Sequence, residues 1–433
     1  MSIRISTNTL FEQGVSAITD RQRVLLDVQQ QISTGRRVVK PSDDPIAAGR
    51  ILDLSQAQSI NQQYVENADS AQSSLAITEQ SLQSVIGTLQ DVRTTIVNAG
   101  NPTLGDSGRA ILARELRGRF QELLGLANAT DGQGQFLFSG YRGATQPFSE
   151  TSPGNVQYAG DQGQRMLQIS ASRFVPVSEA GSEVFQRIRT GNGDFAASAA
   201  TANTGTGKIG IGALTDPTAW NAAANPANFT LRFDVNSATT PPTTTYDIVN
   251  NVSGNSLLTG APASATGPYL RTFTPGSSID LRSQGAEPPF NFGGNVSIDG
   301  DPADADTFTV VQSPNQSVFA TIDNLITALS TTVGTPAQSA RLTNDLTAAI
   351  ANIDQALRRA LDVQTASGAR QAEVESTQAT HRDIAIQYDE TVGELRDVDY
   401  AKAISDLTLQ QTLLEAAQQS FLRVQNLSLF EIL

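Results

Sequence analysis

The residues of this sequence that could do chemistry are few, and each sits where a plainer reading competes. Gly205-Thr206-Gly207-Lys208-Ile209-Gly210 has the G-x-G-x-x-G spacing of a dinucleotide-binding turn. Such a turn works only between a strand and a helix whose N-terminus faces the pyrophosphate. Here it runs into Ile211-Gly212 in a Thr-, Gly-, Asn- and Ala-rich stretch with no helix following, so a flexible turn is expected. Asp299, Asp301, Asp304 and Asp306 lie close together, and clustered carboxylates are what a hard cation takes. The EF-hand order is missing, having no glycine at the sixth position and no closing glutamate, while Asp, Gly and Pro are also what a tight turn between strands needs. A turn is the expected reading, a weak cation site the alternative. His381 is the single histidine and falls on the apolar stripe of a long predicted helix, the place of a packed interface residue more than of a base. Hydroxyls are plentiful, but no second histidine is available to activate one, which nearly excludes a serine triad. Asn228, Asn251 and Asn295 head Asn-x-Ser/Thr triplets, which say only that surface glycosylation is conceivable.

Composition narrows the options further. The absence of cysteine removes disulfides, thiolate nucleophiles and Cys-ligated metals together. One histidine is too few for most zinc sites. No enzyme, no cofactor and no metal are expected. A net charge of -14 argues against nucleic-acid binding, which depends on Lys and Arg displacing condensed counterions. The 433 residues leave room for roughly two to four domains. The first eight residues, Met1-Ser2-Ile3-Arg4-Ile5-Ser6-Thr7-Asn8, hold no apolar core of an ordinary signal peptide. No run of about 18 apolar residues occurs to span a membrane. These tests alone predict a cytoplasmic protein.

The elements that position these residues are mostly long helices. Lys40-Pro41-Ser42-Asp43-Asp44-Pro45-Ile46 is a strong helix start, with Asp at the cap and Pro45 at the first helical position. From Leu54, alternating steps of three and four reach Ile96, and eleven of the thirteen positions are apolar. A helix to about residue 98 would be ~80 Å long and needs a partner of similar length. The same stepping from Leu342 through Leu346, Ile353, Ala360, Val374 and His381 to Leu395 supplies one. Polar residues interrupt it between Ser367 and His381, so that stretch is expected to be wetter or to face another neighbour. A shorter helix over about 106–129 offers Leu112, Leu116, Phe120, Leu123 and Ala127 as a third member. After residue 131 the pattern changes. Segments 136–140, 155–159 and 165–177 read as strands, followed within a Thr/Asn/Gly-rich region by 229–235, 243–249, 269–273, 295–298 and 307–311. Helix returns near 318–329. The expected fold is α+β and multidomain: long helices from both terminal halves form a coiled-coil bundle, with an all-β sandwich or barrel inserted at its tip.

The two ends of the chain carry a narrower stripe. Phe11, Val15, Ile18, Leu25, Val28 and Ile32 at one end, and Ile404, Leu407, Leu414, Ala417, Phe421 and Val424 at the other, step by three, four or seven. That is the seam of a coiled coil rather than the wider stripe of a helix on a globular core. A helix packed on its own domain could show such a stripe, but both ends carry it and both are fenced off, by Ser33-Thr34-Gly35 and by Arg396-Asp397-Val398-Asp399. These twelve residues are expected to form an assembly interface. The predicted division is therefore 1–40 with 398–433 as a terminal coiled-coil module, 41–190 with 318–397 as a long-helix bundle with a hairpin region, and 191–317 as a β-rich outer domain.

Arg4-Ile5-Ser6-Thr7 and the run from Ser33-Thr34-Gly35-Arg36-Arg37 to Pro41-Ser42-Asp43-Asp44-Pro45 closely resemble the N-terminal signature of the flagellin superfamily. The two prolines around Ser42-Asp43-Asp44 resemble its hook-associated members more than the flagellins themselves. Leu126-Ala127-Asn128-Ala129-Thr130-Asp131-Gly132 and Phe136-Leu137-Phe138-Ser139-Gly140 resemble the family's helix-to-hairpin passage, and Leu427-Ser428-Leu429-Phe430 its ending. The resemblance covers roughly 1–180 and 320–433 and implies a flagellin-like structural adaptor at the hook-filament junction of a bacterial flagellum. It implies a ring of copies assembled through the terminal helices, with a hook-associated protein on the hook side and flagellin on the filament side. It also implies an extracellular home, reached unfolded through the flagellar type III apparatus without a cleaved signal peptide, and an export chaperone on the C-terminal helix. No nucleic acid or membrane partner is implied. The alternatives are a flagellin, and from another class a secreted adhesin or enzyme whose β module sits on a coiled-coil stalk.

Overall fold

Asp44 begins the first of two very long helices as its sequence predicts, accepting a hydrogen bond from the Ala47 amide at 2.9 Å with Pro45 in the first turn. The computed structural model describes residues 7–430, and the side chains of 9 and 11–423. Its helices are α1 (Thr7–Thr34), α2 (Pro45–Ala99), α3 (Asp106–Ala127), α4 (Gly181–Phe185), α5 (Pro217–Trp220), α6 (Val318–Ser330), α7 (Pro336–Arg396) and α8 (Tyr400–Phe430). The chain divides into two compact units. Met1–Asp69, Gln168–Arg173 and Glu375–Leu433 form the first, and Ser70–Leu167 with Phe174–Val374 the second. The rods α2 and α7, of 55 and 61 residues, contribute to both.

In the second unit the three-four stepping is realised as burial. Leu82, Val85, Leu89, Val92 and Ile96 of α2 form one core with Leu116, Phe120 and Leu123 of α3 and with Leu346, Ile353 and Ala360 of α7. Helix α6 joins them through Phe319, Ile322 and Leu325, and its Phe319 ring meets Phe120 edge-on at 5.6 Å. Segment 136–140 is not the strand its sequence predicts. Phe136 and Ser139 make only isolated bridges, to Thr130 and Ala180, while Leu137 and Phe138 plug the helical core. Phe138 packs edge-on against Phe185 of α4 at 5.3 Å. Burying two large side chains there overrides the strand propensity of the segment.

The inserted β region has its own core and two open sheets; no barrel closes. The larger sheet runs in the order Arg271–Thr272, Thr243–Asn250, Asn228–Asn236, Thr307–Gln312, Phe195–Ala199, and the smaller one centres on Asn291–Asp299. Strand Asn228–Asn236 alternates as a half-buried strand should, with Phe229, Leu231 and Phe233 inward. Arg271 and Glu287 form a buried ion pair at 2.6 Å, and Arg271 also donates to the carbonyls of Asp280 and Arg282. The two ends of the region touch: the Thr190 amide donates to the Pro314 carbonyl at 3.1 Å and the Ser313 hydroxyl to the Thr190 carbonyl at 2.8 Å.

Candidate assembly surface

Helices α1 and α8 pack side by side in the first unit, running antiparallel. The Phe11 and Phe421 rings lie 5.3 Å apart, the Arg21 guanidinium donates to the Gln410 amide oxygen at 3.4 Å, and the Tyr400 hydroxyl lies against Gly35. Gly14 permits the closest approach, since a Cβ there would stand 2.5 Å from the Phe421 ring. Along α8 the inward side reads Ala403, Leu407, Gln410, Leu414, Ala417, Phe421, and along α1 it reads Gly14, Ile18, Leu25, Val28, Ile32. Both are strict three-four repeats once Arg21 is counted, the geometry of a two-helix seam.

The pairing brings most of the predicted residues together but hides few of them. Ile18, Leu25, Val28, Ile32, Leu407, Leu414, Ala417 and Phe421 are only half-buried, whereas Phe11, Val15 and Ile404 remain 47%, 42% and 54% exposed. Val424 falls outside the residues whose side chains are described. Ile404 stands off the seam and its neighbour Ala403, which a search for large apolar residues passes over, is the buried one. Outside the seam, Leu26, Leu409 and Leu422 form further exposed apolar surface on the same two helices.

The breaks that fence off the terminal helices are stitched to each other. Arg36 bridges Asp397, the Arg37 amide donates to the Arg396 carbonyl at 2.7 Å, and the Val398 amide to the Gly35 carbonyl at 3.0 Å. Gly35 takes a positive φ of 69°, where a side chain would be strained. The Arg37 guanidinium reaches the Leu395 carbonyl at 2.6 Å and the Asp44 carboxylate at 3.1 Å. The Ala47 amide and then Arg37 hold the Asp44 carboxyl below the usual aspartate range, and the Lys40 amide does the same for Asp43. Sequence reasoning singled out this run without finding its role. The run is a clamp that fixes where α1 ends and α2 begins.

The remaining chemical motifs have structural employment. Asp306, 2% exposed, accepts the amides of Thr204, Gly205 and Ala303 at 2.8–2.9 Å, so the glycine loop and the aspartate turn clasp each other. Among the described residues no group of three His, Cys, Asp or Glu side chains could hold a metal ion. In the first unit His381 Nδ1 lies 2.6 Å from Asn61 Oδ1 and the Asn61 amide donates back to the His381 carbonyl at 2.7 Å, with the Tyr64 ring alongside. The polar stretch of α7 is thus bonded to α2 rather than left open: Gln371 reaches Glu79 within the second unit, and Gln378 reaches Asp69 within the first.

Residues 5–142 match the bacterial flagellin N-terminal helical region and residues 350–433 the C-terminal helical region, together about half of the chain. The chain belongs to the flagellin superfamily. Both halves of the α1–α8 pair lie inside the matched regions, and the β region lies outside them. Flagellar hook-associated protein 3 of Salmonella typhimurium is 39% identical over 186 residues, 43% of this chain and 58% of that one, so the match spans less than two thirds of that relative. Two solved structures from Legionella pneumophila are similar across most of this superfamily member. Hook-associated protein 3 has a TM-score of 0.70 at 28% identity, covering 80% of this chain and 98% of that one. The flagellar junction protein FlgL has a TM-score of 0.67 at 28% identity, covering 80% and 100%.

Proposed function

We propose that this chain is a structural adaptor of the bacterial flagellum, joining hook to filament as a ring of copies held by α1 and α8. The observation that carries the reading is the half-open seam: paired as fully as one chain allows, the terminal helices still expose Phe11, Val15, Ile404, Leu409 and Leu422. Large apolar side chains left exposed along both paired helices are what a further association would cover. The likeness to hook-associated protein 3 and to a junction protein supports this adaptor reading over that of a filament subunit. In the ring, a hook-associated protein would adjoin one side and flagellin the other, with the β region facing outward as a separable domain. Export would proceed unfolded and without a cleaved signal peptide, an export chaperone shielding α8 until assembly. Its work is mechanical rather than catalytic.

Deleting the gene tests the reading. Hooks should remain, bare of filament, while flagellin monomers accumulate in the medium. Bare hooks with no flagellin in the medium would identify this chain as the filament subunit, and normal filaments would remove it from the junction altogether.

A further inference from the structure

The larger sheet of the β region ends on strand Phe195–Ala199, and among the described residues no strand pairs with its outer edge. On the inner edge it meets Thr307–Gln312, with Phe195 opposite Gln312 and Ala199 opposite Phe308. The Ser313 amide donates to the Asp194 carbonyl and the Ala200 amide to the Thr307 carbonyl, each at 3.0 Å. Hydrogen-bonding positions alternate along an antiparallel strand. The even-numbered residues from Asp194 to Ala200 therefore face the partner strand, and the backbones of Phe195, Ala197 and Ala199 face outward. Asn192 closes the first of these, taking the Phe195 amide on its side-chain oxygen at 2.8 Å and donating its own amide to the Phe195 carbonyl at 3.1 Å. Ala197 and Ala199 are left as an unpaired edge.

That edge forms one wall of a groove of about 500 Å³, whose opposite wall is α6 and α7, with Asn324, Ala328, Arg341, Asp345 and Ala348. The volume falls within the ~300–1,000 Å³ of typical ligand sites. The groove keeps its width because Asn344 of α7 is tied to the β region, accepting the Ile209 amide at 2.8 Å and donating to the Gly207 carbonyl at 3.2 Å. Arg341 and Asp345 offset each other in charge, and the small side chains along the walls leave depth beside the edge. Outward amides and carbonyls repeating every second residue are matched by another extended backbone, and a neutral lining selects an uncharged one. We propose that this groove binds an extended, uncharged peptide segment of another polypeptide by strand addition onto Ala197 and Ala199. The inference stands apart from the ring reading, since none of these residues belongs to α1 or α8.

A phage-displayed library of random decapeptides, panned on the intact chain, is the probe. Ala197→Pro removes an outward N–H without touching the inner ladder, a position where an edge strand tolerates proline. Ala348→Phe fills the groove from the helical wall and leaves the strand alone, so it decides the matter should the proline variant fail to fold. Uncharged peptides rich in β-branched residues should be enriched, and a synthetic copy of one should bind either folded variant at least about tenfold more weakly while slowing exchange at the Ala197 and Ala199 amides. No enrichment over a blank surface, enrichment of charged peptides, or equal binding to the Ala348→Phe chain would overturn the proposal.

Discussion

The helical core of the second unit and the α1–α8 pair of the first are built on the same three-four repeat, yet one is finished and the other is not. Leu82, Leu116, Phe120 and Ile353 are wholly buried by four helices of one chain, whereas Phe11 and Ile404 stay about half exposed after their helices have paired. Two helices can cover only one stripe of each other, so apolar residues beyond the mutual seam, such as Leu26 and Ile404, stay exposed within the chain. The periodicity tells that a helix has an apolar side; the number of partners inside the chain tells whether another molecule is needed.

The contrast breaks most visibly at Phe421 and Leu414. Phe421→Asp or Leu414→Asp places a carboxylate where assembly would exclude water, which costs several kcal/mol, so incorporation into flagella should fall about 100-fold or more. In the monomer the effect should be confined to the α1–α8 pair, since both residues sit on its inner side, and the melting transition of the second unit's helical core should not move. Normal filament growth on either variant would mean that the seam is not an assembly surface. Arg271→Ala should do the reverse. It leaves Glu287 buried without its partner and should destabilise the β region by about 3–5 kcal/mol while leaving assembly of the helices intact. Calorimetry that resolves the β region, alongside a motility assay, separates the two effects.

A smaller effect is expected at the clamp. The Asp44 carboxyl is held below its ordinary value of 3.8, so its contribution is fully present above that value and is lost as pH falls through the depressed one. Asp44→Asn should therefore lower stability modestly at neutral pH, where the carboxylate's contribution is fully present, and should differ least from the parent in acid, so that the acid limb of the unfolding curve flattens; an unchanged acid limb would show that Arg37 does not depend on this charge. The smallest effect is expected from replacing 190–314 with a short Gly/Ser linker. Because Thr190 and Pro314 already touch, the remaining helices should fold and filaments should still grow. Bare hooks despite normal export would show that the β region takes part in the junction.

The long rods were legible because sustained periodicity needs no tertiary knowledge: the positions counted from Leu54 to Ile96 lie on the packed side of α2, and the helix start at Asp44 was chemically explicit. The strand Phe195–Ala199 was not legible. Four of its five residues are Ala or Ser, weak strand formers, and it exists because Thr307–Gln312 offers it a ladder. In the α1–α8 pair, Ile404 drew attention by size, while Ala403 and Gly14, which do the close packing, are small residues that a hydrophobic pattern does not weigh. The clamp was visible as a motif but silent about its role, because Arg37 and Arg396 meet only through the folded chain.

Amide hydrogen exchange on the dilute monomer probes the unfinished seam most directly. If α1 and α8 await partners, amides over 11–34 and 400–423 should exchange fast, by local opening well below the global unfolding free energy, while those over 82–96, 116–123 and 346–360 should be protected close to the global limit. Protection should rise over α1 and α8 when the chain is incorporated into flagella. Equal protection of the terminal helices and the core in the free monomer would show that the pair is complete as it stands, and would contradict its assignment as the assembly surface.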